Sequence, residues 1–269
     1  MRADRLRLLA GVALALWLVL PLVPLAVWSV AHGWRFPDLL PGAWSLKAWS
    51  HALSGSSGVL RGLGQSLLVA LAATALAVLV GVPAGRALGL YSFRGKRLVL
   101  LLLLAPALVP AIAVAMGLHG VFLRLGLTGT VPGVILAHLI PVIPYMTLIM
   151  AAVFARFDTA HEDQARSLGA RPWQVFAHVT LPAILPGLLT GAVFAFLVSW
   201  SQYLLTLVIG GGRVQTLPLV LYSFATSGRN DVTGAIAILY VLPGVLALAL
   251  TARTLTARSL TGRPTGLAP

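Results

Sequence analysis

Thr159-Ala160-His161-Glu162-Asp163-Gln164-Ala165-Arg166-Ser167-Leu168-Gly169-Ala170-Arg171-Pro172-Trp173-Gln174-Val175-Phe176-Ala177-His178-Val179-Thr180-Leu181-Pro182 is a polar island in an otherwise apolar chain. Thr159 and Glu162 have capping-box spacing, which predicts a helix start that places Glu162 and Asp163 in the first turn, where the helix dipole favours acids. Gly169 suits the left-handed residue that ends a helix, and Pro172 the first turn of the next, where a missing N–H costs nothing. Trp173, Phe176 and Val179 follow at helical spacing, and Pro182 is expected to end this second piece. The expected product is a short helix, a sharp turn and a second short helix, a knob that offers apolar residues and an acid to a partner's groove. A well-capped amphipathic loop lying on a membrane surface is the plainer reading of the caps alone.

Outward from this island, composition sets the class. The chain has 269 residues, 59% hydrophobic and 9% charged, against about 25% charged in soluble domains. A soluble fold of this size cannot hide that much apolar surface, so lipid must solvate most of it. The net charge of +13 does not point to nucleic acid, because the bases punctuate apolar runs as topology signals do. The absence of cysteine excludes disulfides and thiolate metal sites. The N-terminal bases Arg2, Arg5 and Arg7 precede an apolar run too long for a signal peptide, which reads as an uncleaved first span.

Six segments reach the roughly 20 residues needed to cross a bilayer core: 8–31, 62–90, 98–118, 131–154, 184–209 and 233–257. The expected fold is an all-α integral membrane protein of six transmembrane helices, one domain over 1–269. With the N-terminus inside, 13 of the 19 bases fall at the cytoplasmic face, and both termini and the loop 155–183 are then cytoplasmic. Arg263 is counted on that face, and Arg35 on the opposite one. Residues 214–225 are too short to span and are expected to form a helix or re-entrant piece at the outer surface. Pro106, Pro110, Pro141 and Pro144 remove backbone donors and can kink their helices.

Asp163-Gln164-Ala165, then Gly169 and Leu181-Pro182, placed before the fifth of six spans, resemble the EAA loop of ABC importer permeases. Such permeases usually show Glu-Ala-Ala where this chain has Asp163-Gln164-Ala165. The resemblance covers residues 60–258 and includes the core helices 62–258. It implies the type I ABC importer permease architecture in a bacterial inner membrane. It assigns Glu162, Asp163, Ala165, Gly169, Trp173, Phe176, Leu181 and Pro182 to contact with, or support of the contact with, an ABC ATPase. It also implies a second permease subunit, identical or different, and an extracytoplasmic solute-binding protein. Ser199-Trp200-Ser201-Gln202-Tyr203, Gly210-Gly211-Gly212 and Thr216-Leu217-Pro218 look like the spermidine/putrescine group, whose relatives handle ferric iron, thiamine, sulfate or molybdate. A polyamine or similar small organic cation is the solute this suggests.

The chain has no Gly-x-x-x-x-Gly-Lys-Ser/Thr phosphate loop, so ATP hydrolysis is expected on a separate subunit and no cofactor is expected here. All six acids lie outside the apolar centres, which disfavours an ion-coupled carrier, where an intramembrane carboxylate is the usual device. Ser199, Ser201, Gln202 and Tyr203 form the densest polar group of the fifth span. They fit a translocation path and interhelical hydrogen bonding equally well. His119 and His138 stand alone, without metal-ligand spacing, and suit packing.

Overall fold

A computed structural model of the chain describes residues 2–34, 37–38 and 41–261. Arg35, Arg263 and the tail 262–269 lie outside the described residues. The elements are helices α1 (Arg2–Val19), α2 (Leu22–Val30), α3 (Lys47–Ala52), α4 (Val59–Leu90), α5 (Lys96–Leu108), α6 (Ala111–Arg124), α7 (Val131–Phe154), α8 (Ala160–Ser167), α9 (Pro172–Val175), α10 (Leu181–Trp200), α11 (Leu204–Gly210), α12 (Leu217–Thr226) and α13 (Asn230–Thr261). A two-residue antiparallel pair, β1 (Ala31–His32) with β2 (Ala43–Trp44), sits in the first loop.

Among the described residues, four helical stretches are long and apolar enough to cross a membrane: Val59–Leu90, Val131–Phe154, Pro172–Trp200 and Asn230–Ala247. The expected span 98–118 falls on a bent pair, α5 and α6, which together are long and apolar enough to cross but meet at 104°. Pro110 causes the break. It donates no N–H, and it drives the preceding Val109 into extended backbone (φ −89°, ψ 133°). Pro141 and Pro144 leave α7 unbroken. The expected first span 8–31 is divided between α1 and α2 at Leu20–Pro21.

The expected span 184–209 also stops early. α10 ends at Trp200 and α11 starts at Leu204. Hydroxyl bonding to backbone offers the local chain an alternative to the helix ladder: Ser201 Oγ donates to the Val198 carbonyl, and Thr206 Oγ1 to the Gln202 carbonyl. The outer segment 214–225 contains α12, and Pro218 lies in its first turn, where it starts the helix instead of interrupting it.

The chain packs as two compact units. One comprises residues 1–65 with 216–243. A close helix crossing within it is at Gly234, where a Cβ would stand 2.6 Å from the Leu25 carbonyl oxygen and 2.8 Å from the Ser29 nitrogen. The other comprises residues 66–215 with 244–269 and contains two apolar clusters. Val69, Ala115, Phe122, Val134, Ala137, Leu205 and Ile209 join α4, α6, α7 and α11. Ala77, Val142, Met146, Met150, Phe154, Ile184 and Ala195 join α4, α7 and α10.

Candidate functional site

Three glycines on one face of α4 set the geometry of the second unit. A Cβ at Gly81 would stand 2.7 Å from Met146 Cγ, one at Gly85 2.5 Å from Met150 Cβ, and one at Gly89 2.7 Å from the Ala151 carbonyl oxygen. With hydrogen in place of those carbons, α4 and α7 approach backbone to backbone, the usual means of close packing in lipid. That contact fixes where Arg86 emerges. Its guanidinium lies 5.5 Å from the centre of the Phe154 ring, in the last turn of α7.

Just past the end of α7, the chain makes the expected helix, turn and second helix. The first cap differs from expectation. Thr159 has helical backbone (φ −71°, ψ −15°), and its side chain makes no capping bond. Asp158 Oδ1 accepts from the Ala160 N–H at 2.9 Å instead. Glu162 has another partner in place of the Thr159 N–H. Its carboxylate turns inward to 2% exposure and takes both arms of Arg86, at 2.7 and 2.6 Å. Thr180 Oγ1 donates to the same carboxylate at 2.5 Å, and Arg166 adds a longer contact at 3.3 Å. The Arg86 hydrogen bonds hold the Glu162 carboxyl at about pKa 2 against the opposing push of burial, with Thr180 and the charge of Arg166 assisting.

The turn follows the sequence reading. Gly169 has φ +86°, its N–H reaches the Arg166 carbonyl, and the Ala170 N–H reaches the Ala165 carbonyl. This is the Schellman arrangement that satisfies the end of α8. Pro172 opens α9, and Gln174 Oε1 accepts from the Arg171 N–H at 2.8 Å.

Pro182 departs from expectation. It does not end the second helix, which continues from α9 through a π turn, Phe176–Thr180, into α10. The Leu181 N–H donates to the Phe176 carbonyl five residues back. The wider turn accommodates the proline ring and its missing donor without breaking the rod.

The predicted residues separate into two sets. Asp163 and Trp173 are exposed, at 65% and 60%, on the outside of the knob, as is Leu168 at 89%, which the sequence reading did not single out. Asp163 pairs there with Arg166 at 2.9 Å. Phe176 and Leu181 line an apolar recess of about 330 Å³ together with Val82, Phe154 and Arg86. Ala165 is half-buried and supplies the Schellman carbonyl.

Of the fifth-span residues, Ser199 is buried and meets His138 Nδ1 at 2.9 Å. His138 Nε2 meets Thr206 Oγ1 at the same distance. Ser199 therefore serves an interhelical bond, while Ser201, Gln202 and Tyr203 form the break after α10. Arg86 and Thr180 escaped the sequence reading as site residues, whereas His138, read as a packing residue, joins two helices. Arg86 lies in an apolar run, where a base usually has a partner, but the sequence does not say that the partner is Glu162, 76 residues away.

Residues 77–259 match the family described as binding-protein-dependent transport system inner membrane component. The chain is 26% identical over 243 residues to PhnV of Salmonella typhimurium, named for 2-aminoethylphosphonate transport, covering 90% of this chain and 89% of that one. It is 31% identical over 204 residues to ModB, a molybdenum transport system permease of Mycobacterium tuberculosis, with 70% and 77% covered. It is 28% identical over 202 residues to PotC, a spermidine/putrescine permease of Haemophilus influenzae, with 75% and 77% covered. Among solved structures, a chain of a bacterial ABC transporter that imports the acidic polysaccharide alginate superposes with a TM-score of 0.68 at 19% identity, over 94% of this chain and 98% of that one. The MetNI methionine transporter matches at a TM-score of 0.57 and 19% identity, over 74% and 94%. These likenesses are of fold, that of the type I ABC importer permeases.

Proposed function

Because the chain belongs to the binding-protein-dependent transport system inner membrane components, the permease subunits of ABC importers, we propose that it forms half of a solute path and draws its driving force from a separate ATPase through the knob α8–α9. A second permease subunit completes the path, and an extracytoplasmic binding protein delivers the solute. Both termini and the knob face the cytoplasm. The observation that carries the coupling reading is the opposed orientation of two neighbouring acids. Glu162 is 2% exposed and tied to the core, while Asp163 is 65% exposed and shares a shallow hollow with Leu168, and Trp173 of α9 is exposed as well. Its surface pair with Arg166 holds Asp163 only weakly. Asp163 can exchange that base for one on an ATPase, and the apolar neighbours supply the area of a helix-in-groove contact.

The solute we propose is a small organic cation carrying a primary ammonium group. PotC is named for spermidine and putrescine, which are such cations, whereas PhnV is named for 2-aminoethylphosphonate, which shares the ammonium group but not the net positive charge. ModB, named for molybdenum, marks the competing class.

The assembled importer in membrane vesicles tests both points. ATP-dependent uptake of putrescine is expected, and uptake of molybdate or 2-aminoethylphosphonate without putrescine would overturn the solute proposal. Asp163→Lys should lower ATPase copurification and uptake together, and full retention of both would remove the coupling assignment. Reporters fused at Arg94 and His178 should read inside, and those at Ser57 and Arg229 outside.

A further inference from the structure

We propose that Glu162 is a positioning residue that clamps α8 to α4 and to the head of α10, so that a push on the knob moves three elements as one body. The inference rests on the coupling reading above and goes beyond it by naming the internal joint. Covalent linkage alone joins α8 only to the chain ends of α7 and α9. A helix of eight residues flanked by turns could pivot on those links and dissipate an applied displacement.

The carboxylate removes that freedom. Its two oxygens accept both arms of the Arg86 guanidinium, a bidentate geometry that fixes orientation as well as distance. Thr180, in the π turn that leads directly into α10, holds Oε1. Arg86 is in turn fixed by the glycine contact of α4 on α7 and by the Phe154 ring. A single buried side chain thus joins α8, α4 and the start of α10 within hydrogen-bond distance. Asp163, one residue along, makes no contact with α4 among the described bonds and faces outward. The two acids have separate roles, Asp163 receiving the partner and Glu162 passing on the movement.

The chain contains no cysteine, so a labelled pair at Ser92→Cys and Ser167→Cys reports the distance from the end of α4 to α8 by electron paramagnetic resonance. Both sites are exposed. The permease alone in nanodiscs should give a single narrow distance, which Glu162→Gln or Arg86→Met abolishes while Asp163→Asn leaves it intact. The pair Glu162→Gln with Arg86→Met strands neither charge, so it should recover expression without recovering the narrow distance, which separates positioning from stability. In the complete complex, the wild-type distance should stay narrow with ADP and with ATP and vanadate. A narrow distance in Glu162→Gln nanodiscs, or a wild-type distance that changes with nucleotide, overturns the clamp. Failure of the wild-type chain to bind any ATPase overturns the coupling reading instead, and the clamp then stands or falls on the nanodisc distances.

Discussion

Two polar junctions hold the second unit together, and they differ in kind. At the membrane edge, Arg86, Glu162, Thr180 and Arg166 form a charged cluster around one carboxylate. Within the spans, His138 joins Ser199 of α10 to Thr206 of α11 through two hydroxyls, with no opposite charge. The contrast follows from how each environment solvates an ion. Hydrocarbon penalises net charge by several kcal/mol, so helices there are joined by hydroxyls and imidazole, each bond being worth about 1 kcal/mol. At the edge, Arg86 keeps 27% exposure, water relieves part of its desolvation, and a bidentate ion pair becomes favourable. The charged junction fixes direction, and the neutral one joins α10 to α11 across the break between them.

If that contrast is right, the charged junction should be the more costly to break. Arg86→Met leaves the Glu162 carboxylate buried without its main partner and should cost about 3 kcal/mol, read as a large fall in thermal unfolding temperature in detergent. Equal stability would show that Thr180 and Arg166 suffice and would erase the distinction.

Acid should reach the same joint. Because the Glu162 pKa is lowered from 4.5 to about 2, its contribution is complete above pH 4.5 and is lost as pH falls toward 2. The full contribution is worth roughly 3 kcal/mol or less. The stability difference between wild type and Glu162→Gln should therefore stay flat from pH 8 to about 5 and shrink below that range. A difference that changes near pH 7 would place the titration on another group.

At the neutral junction, Ser199→Ala should cost only about 1 kcal/mol, since His138 loses one hydroxyl and retains Thr206. A loss as large as that of Arg86→Met would mean the imidazole is the principal joint of the fold. Smallest of all, Asp163→Asn should shift thermal stability by less than about 1 kcal/mol, while still lowering ATPase copurification. Loss of stability without loss of copurification would reverse the roles assigned to the two acids.

The knob was legible because its signals are local. Gly169 and Pro172 act within one turn of their own backbone, and the structure places them as their chemistry requires. Thr159 and Glu162 satisfied the same kind of local rule, yet the capping box did not form. A bidentate bond from Arg86, 76 residues away, outweighs a single bond to a neighbouring N–H. Pro182 misled for a related reason: a π turn ending two residues earlier absorbs it, and no local pattern announces that turn. Ser199 was left between two roles, and its bond to His138, 61 residues away, is a long-range contact that no local pattern announces.

The sequence by itself determined that lipid is the solvent, roughly which stretches are helical, and that a capped polar knob precedes α10. These follow from apolar length and from backbone chemistry that acts over a few residues. That Pro110 breaks its helix while Pro141 and Pro144 do not was decided by the fold. Tertiary structure alone decided which acid faces the core and which faces out, because that choice depends on the approach of α4 to α7. Glycines at 81, 85 and 89 permit the approach, but their consequence is a position in space for Arg86. Only the packed helices bring that guanidinium to Glu162, and a buried carboxylate turns toward the charge that offsets its desolvation.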